Sequence, residues 1–218
     1  MPIDRDAADR LLCTTRSVKR RLDMTRPVPR SLILECIDVA LQAPSAGNRQ
    51  QAGFVVVDDP VKRAALADLY RQSHSGYQTT PAANYAPGDP RAASASGVAS
   101  AGAQLVDILA DVPVHVIPVI EGRPEGRPPG ALAALYGSVL PMAWSFALAA
   151  RARGLGSTWT TLHLRREREA AELLGIPDTH SQVALLPVAF YTGDDFSPAP
   201  RLAAREVTHF DGWGQREP

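Results

Sequence analysis

"ALAALYGSVLPMAWSFALAARARGLGSTWTT", residues 131–161, decides how the rest of the chain is read. Residues 131–150 carry no charged side chain over a length that could cross a bilayer. About half of them are Ala, Gly, Ser or Pro, no second stretch of this kind occurs, and Arg151 and Arg153 before Gly154 form an ordinary helix C-terminus. A helix that is apolar all round also suits a large core or a subunit interface, so a buried central helix is expected and no membrane span. "GLGS" at 154–157 follows that helix and precedes a strand, the reverse of the order a dinucleotide turn requires, and reads as a helix cap.

The bulk numbers agree with a soluble globular chain. It has 218 residues, 45% hydrophobic and 21% charged, with 23 basic against 23 acidic side chains. A zero formal charge gives no global field toward nucleic acid or anionic lipid, so neither partner is expected. Cys13 and Cys36 match neither a metal knuckle nor a redox pair and read as reduced thiols. "MPIDRDAADR" has no apolar core of a secretory signal, and a cytoplasmic location is expected.

Upstream, Ile33, Ile37, Ala40 and Leu41 recur at helical spacing after Pro29, which predicts a helix over about 29–43, stopped by Pro44. "APSAGNRQQAG" at 43–53 makes the turn and carries more hydrogen-bonding groups than a turn needs. "GFVVVDD" at 53–59 reads as a buried strand, and Asp59 with Pro60 opens a helix. Residues 73–103 turn small and polar, predicting a long loop that fits either a substrate-covering lid or a disordered insertion. A helix near 97–110, a strand at 112–122, a strand at 157–161, a helix ending at Gly175 and a last strand in "QVALLPVAFYTG" follow. The tail from 193 to 218 is too poor in periodic apolar residues to fold alone, yet Phe196, Leu202, Val207, Phe210 and Trp213 imply that it lies against something. A single α/β or α+β domain over 1–218 is therefore expected, with no internal repeat.

"TTRSVKRRLD" at 14–23 clusters Arg16, Ser17, Lys19, Arg20 and Arg21. Guanidinium forks, an ammonium and a hydroxyl suit a phosphate, and the same run also suits a solvated charged helix face; both readings stand at this point. Nucleophile elbows, P-loops, HExxH and paired cysteines are missing, and the five histidines are scattered. No catalytic side chain and no metal ligand is therefore nominated.

In chain order these pieces resemble the flavin-dependent nitroreductase family. The resemblance rests on "TRSVKRRLDMTRPVP" at 15–29, "ALQAPSAGNRQQAGFVVVDDPVKRAALADLY" at 40–70, "WSFALAARARGLGSTWTT" at 144–161, "LLGIP" at 173–177 and "PAPRLAAREVTHFDGWG" at 198–214. It implies an α+β nitroreductase-like fold with a central, mostly antiparallel sheet flanked by helices, extended by the partner's C-terminal segment in an intertwined homodimer. It implies one FMN in each of two shared clefts, with NADH or NADPH as co-substrate in a ping-pong reduction of nitroaromatic, quinone or related electron-poor small molecules. A non-catalytic flavin store and a specialised flavoenzyme that oxidises a biosynthetic intermediate are alternatives on the same fold. By position in the family's motifs, Arg16, Ser17 and Lys19 or Arg20 would contact the flavin, with Arg201 reaching its phosphate from the tail. Pro44, Ser45 and Asn48 would come from the other subunit, and backbone groups of Leu155 and Gly156 would lie against the ring. Gln51 and Ala52 stand where the family often has Pro-Trp, which opens the cleft.

Overall fold

The computed structural model describes residues 3–75, 85–86 and 88–216. Six strands form its sheet: β1 (Leu22–Asp23), β2 (Ala52–Val57), β3 (Val114–Glu121), β4 (Leu155–Ser157), β5 (His180–Gln182) and β6 (Leu186–Tyr191). β3 pairs with β2, β5 and β6, while β6 also pairs with β1 and β4, and every pairing is antiparallel. Seven helices accompany it among the described residues: α1 (Arg5–Thr14), α2 (Arg30–Ala40), α3 (Pro60–Ser75), α4 (Ala92–Ile108), α5 (Pro129–Ala152), α6 (Glu167–Leu174) and α7 (Ala204–Val207).

Alternation along β3 divides the core. Val114, Val116 and Ile120 join a cluster with Ile33, Cys36 and Ala40 of α2 and Leu135, Val139 and Phe146 of α5. Ile117 and Val119 point the other way, into a cluster with Leu66 and Tyr70 of α3, Leu105 of α4 and Ala170 of α6. Successive side chains of a strand face opposite sides, so the sheet is covered on both faces and its strand reads as one apolar run. Burial at Cys36 pushes its thiol up to about 11, the state of an inert packing residue.

Several expectations are met at the level of single residues. Asp59 caps α3 by accepting from the Lys62 N–H at 2.9 Å. Gly154 and Gly175 take left-handed φ values of 77° and 70° just past α5 and α6, the conformation that glycine adopts without steric cost. Other expectations are corrected. α5 carries no charge before Arg151 but is buried on one side only, leaving Leu140 and Trp144 at 38% and 43% exposure. A helix with no charge until its last turn has no polar stripe from which its inner face can be read. Pro141 sits inside α5 without ending it, and the carbonyl that its ring would crowd belongs to Gly137 on the exposed side.

The irregular stretch assigned to 73–103 is shorter than its composition implied, since α3 runs to Ser75 and α4 starts at Ala92. Alanine is the strongest helix former, and "AASASGVASAGA" has enough of it to override Ser and Gly. The rest of that stretch lies largely outside the described residues. The strand expected at 157–161 ends at Ser157, and the last strand is divided into β5 and β6. α1, capped by Asp4 accepting from the Ala7 N–H at 3.1 Å, adds a helix ahead of the basic segment.

Candidate functional site

The basic segment is not a helix face. Residues 16–19 run beside β4: Ser17 forms a parallel bridge to Ser157. The Val18 N–H donates to the Ser157 carbonyl at 2.9 Å, and Thr158 Oγ1 donates to the Val18 carbonyl at 2.5 Å. Gly156 permits this approach, because a Cβ there would lie 3.0 Å from the Val18 side chain and 3.2 Å from Leu22. Arg16, Ser17, Lys19, Arg20, Leu155 and Gly156, nominated from distant parts of the sequence, thus share one neighbourhood. Leu155 is 1% exposed with its side chain in the core, so only its backbone is available to a ligand.

Within this group the cations differ. Lys19 is half-buried, forms no salt bridge among the described residues, and burial lowers its pKa from the ordinary value. An ammonium stripped of water without a counter-ion favours an incoming anion. Arg20 is already engaged with Ser100 Oγ of α4, and Arg16 donates to the Ser197 carbonyl at 3.1 Å.

That last bond ties the segment to the root of the tail. Arg21 donates to the carbonyls of Thr192 and Asp194, and its guanidinium lies 4.2 Å from the Phe196 ring centroid. Asp195 pairs with Arg10 of α1 and with Arg151 at the end of α5. The Arg10 guanidinium, followed by the Phe196 N–H, holds the Asp195 carboxyl down to about 2. Arg21, a member of the basic cluster, is thus turned to the tail root, while Arg10 and Asp195 carry no signal in the sequence and Arg151 reads there as a helix-end cation. Arg201 lies further along the tail, exposed, with Nη1 donating to the Pro200 carbonyl at 3.0 Å.

Pro44, Ser45 and Asn48 occupy a different place. The Ala46 N–H donates to Ser138 Oγ on α5 at 2.9 Å, and the Gln50 N–H to Ser45 Oγ at 3.1 Å. The turn is tight: Gly47, Asn48 and Gln50 all have positive φ, at 59°, 52° and 51°, a conformation free of cost at the glycine and strained at Gln50. Asn48 and Gln50 side chains bond each other at 3.2 Å, with Asn48 Oδ1 accepting, and Pro44 and Asn48 are exposed. Ser45 and Gln50 border a cleft of about 290 Å³ that also reaches Glu121, Arg127 and Ser138. Ser138 precedes the end of α5 by nearly four turns, about 20 Å along the axis. The basic segment and the turn therefore sit at opposite halves of one helix.

Comparison with known proteins agrees with this architecture. The model of the nitroreductase family matches residues 13–190. A protein of Thermus thermophilus named NADH dehydrogenase is 30% identical over 207 residues, spanning 88% of this chain and 90% of that protein. The FMN-dependent nitroreductase NfnB from Mycobacterium smegmatis, solved in complex with NADPH, superposes with a TM-score of 0.70 at 19% identity, covering 95% of this chain and 99% of that one. Iodotyrosine deiodinase bound to FMN and 3-iodo-L-tyrosine reaches 0.70 at 20% identity over 93% of this chain and 98% of that one.

Proposed function

The chain belongs to the nitroreductase family, and on that premise we propose that it is an FMN-dependent oxidoreductase using NADH or NADPH. It hands reducing equivalents by a ping-pong cycle to an electron-poor small molecule of the nitroaromatic or quinone kind. The observation that carries this reading is the half-buried Lys19, without a salt bridge among the described residues, at the junction of the basic segment, β4 and the root of the tail.

These residues fit a flavin phosphate. Lys19 and Arg16 supply charge, the Ser17 hydroxyl supplies a donor, and Arg201 approaches from the tail. Lys19 takes the second basic contact because Arg20 is held by Ser100. Backbone groups of Leu155 and Gly156 lie where a ring can rest on β4. Bound flavin would supply the hydride and electron chemistry, which explains why no acid–base constellation is needed. The chain's own work is to bind, orient and keep water from the ring.

The site is shared between two copies. On this reading Pro44, Ser45 and Asn48, which stand beside Ser138 about 20 Å along α5 from its C-terminal end, serve the partner's flavin, and each cleft is completed by the other copy's turn. The exposed Leu140 and Trp144 on α5 and Val207, Phe210 and Trp213 in the tail, the last 92% exposed, form the apolar surface that a homodimer would bury. The tail from 193 embraces the partner and adds to its sheet. Unpaired Cys13 and Cys36 suit a reducing cytoplasm.

Purified protein should be yellow, and its flavin should bleach anaerobically on addition of NADH or NADPH. Colourless protein that FMN cannot reconstitute would refute the assignment.

A further inference from the structure

The cleft beside the 45–51 turn has charge of its own. Arg49 reaches it from the turn, and Arg127 from the loop between β3 and α5. Arg127 is positioned by the fold: its Nε donates to the Arg123 carbonyl at 2.5 Å. Its guanidinium also fills the space above Gly122, where a Cβ would lie 2.8 Å from Nη2. Gly122 has φ 120°, so the backbone and the missing side chain together make this room. Neither Arg49 nor Arg127 has a carboxylate partner among the described residues. Glu121, the acidic residue lining the cleft, accepts from Gln51 Nε2 at 2.8 Å. α5 begins at this end with Pro128 giving no side-chain cap, so the positive pole of a 24-residue helix adds to the same field.

We propose that this cleft is an anion subsite that binds the carboxylate or phosphate of a substrate whose reacting part reaches the flavin. The proposal rests on the flavin assignment, since Ser45 borders the cleft and belongs to the turn that faces the partner's flavin. A volume of about 290 Å³ holds such a group together with part of an aromatic ring or ribose. Two guanidinium forks against one carboxylate favour a bidentate anion over a neutral or cationic group. The anion has two sources, an acidic aromatic acceptor or the extra phosphate of NADPH, and both offer the same chemistry.

The test uses the flavin-loaded protein and the variants Arg127→Gln, Arg49→Gln and Glu121→Gln. Michaelis constants are measured for 4-nitrobenzoate and nitrobenzene, and for NADPH and NADH with nitrobenzene as acceptor. Each arginine variant should raise one anionic substrate's KM by roughly fivefold to tenfold, the loss of one charge-assisted bond, with flavin content retained. Glu121→Gln should lower the same KM, a gain that misfolding cannot produce. A shift for 4-nitrobenzoate identifies an acidic acceptor, and a shift for NADPH alone identifies the nucleotide phosphate. Unchanged constants for all substrates in both arginine variants would overturn the subsite. Should the protein prove to hold no flavin, calorimetric titration with 4-nitrobenzoate and inorganic pyrophosphate still decides the matter. Binding lost in Arg127→Gln sustains the subsite, and its absence in the unsubstituted protein removes it.

Discussion

The two polar regions at either half of α5 are built on opposite plans. At its C-terminal end the basic segment is locked within its own chain: a bridge to β4, the Asp195 pairs with Arg10 and Arg151, and Arg21 over Phe196 all bind it to the tail root. Near Ser138 the 45–51 turn keeps three positive φ values and exposes much of its polarity. A region that is tied down internally provides a fixed anchor. On the shared-site proposal, the outward-facing groups of the turn meet the partner copy.

Breaking what both regions share should have the largest effect. Phe146 is fully buried on α5 between them, so Phe146→Ala should cost about 3–5 kcal/mol in denaturant unfolding and lower flavin content with it. A cost under about 1 kcal/mol would mean that α5 is not the shared support.

Acid should act next, through the core and not through either polar region. His115 and His163 are fully buried, and burial lowers each to about 4 from 6.5. A depressed imidazole contributes its stability fully above pH 6.5, and that contribution falls as pH drops from there toward 4. The slope is at most about 1.4 kcal/mol per pH unit for each histidine. Unfolding measured between about pH 8 and 4 should show this decline, and His115→Gln should flatten it.

The anchor itself is tested by Lys19→Met, which should weaken FMN retention by about tenfold to a hundredfold while the melting temperature of the flavin-free protein stays unchanged. Equal flavin content in this variant would move the phosphate elsewhere. Gln50→Gly gives the smallest effect and addresses the turn. Relief of its φ of 51° should raise stability by about 0.5–1 kcal/mol, read as a higher melting temperature.

How far the sequence reveals such a molecule depends on the kind of signal. Asp59 with Pro60, and Gly154 and Gly175 past their helices, are local devices and are legible in the chain. The exposed side of α5 is not, because Leu140, Trp144 and the buried Leu135 are chemically alike and only neighbours distinguish them. The candidate site was legible in its cationic residues through motif order. The Asp195 hub was hidden because its partners, Arg10 and Arg151, are far away in the chain. Gly156 shows the same limit: its closeness to Val18 exists only once residues 16–19 lie beside β4.

Pairing the anchor of one copy with the turn of another is the central claim, and one heterodimer measures it. Lys19→Met and Asn48→Ala chains, differently tagged, are co-expressed, and the mixed dimer is isolated for its FMN content. With shared sites, one cleft carries both substitutions and the other carries none, so the mixed dimer should hold about half the flavin of the unsubstituted protein and bleach with nicotinamide. If each site were built within one chain, every cleft would carry one substitution, and flavin content no higher than that of the two mutant homodimers would contradict the claim.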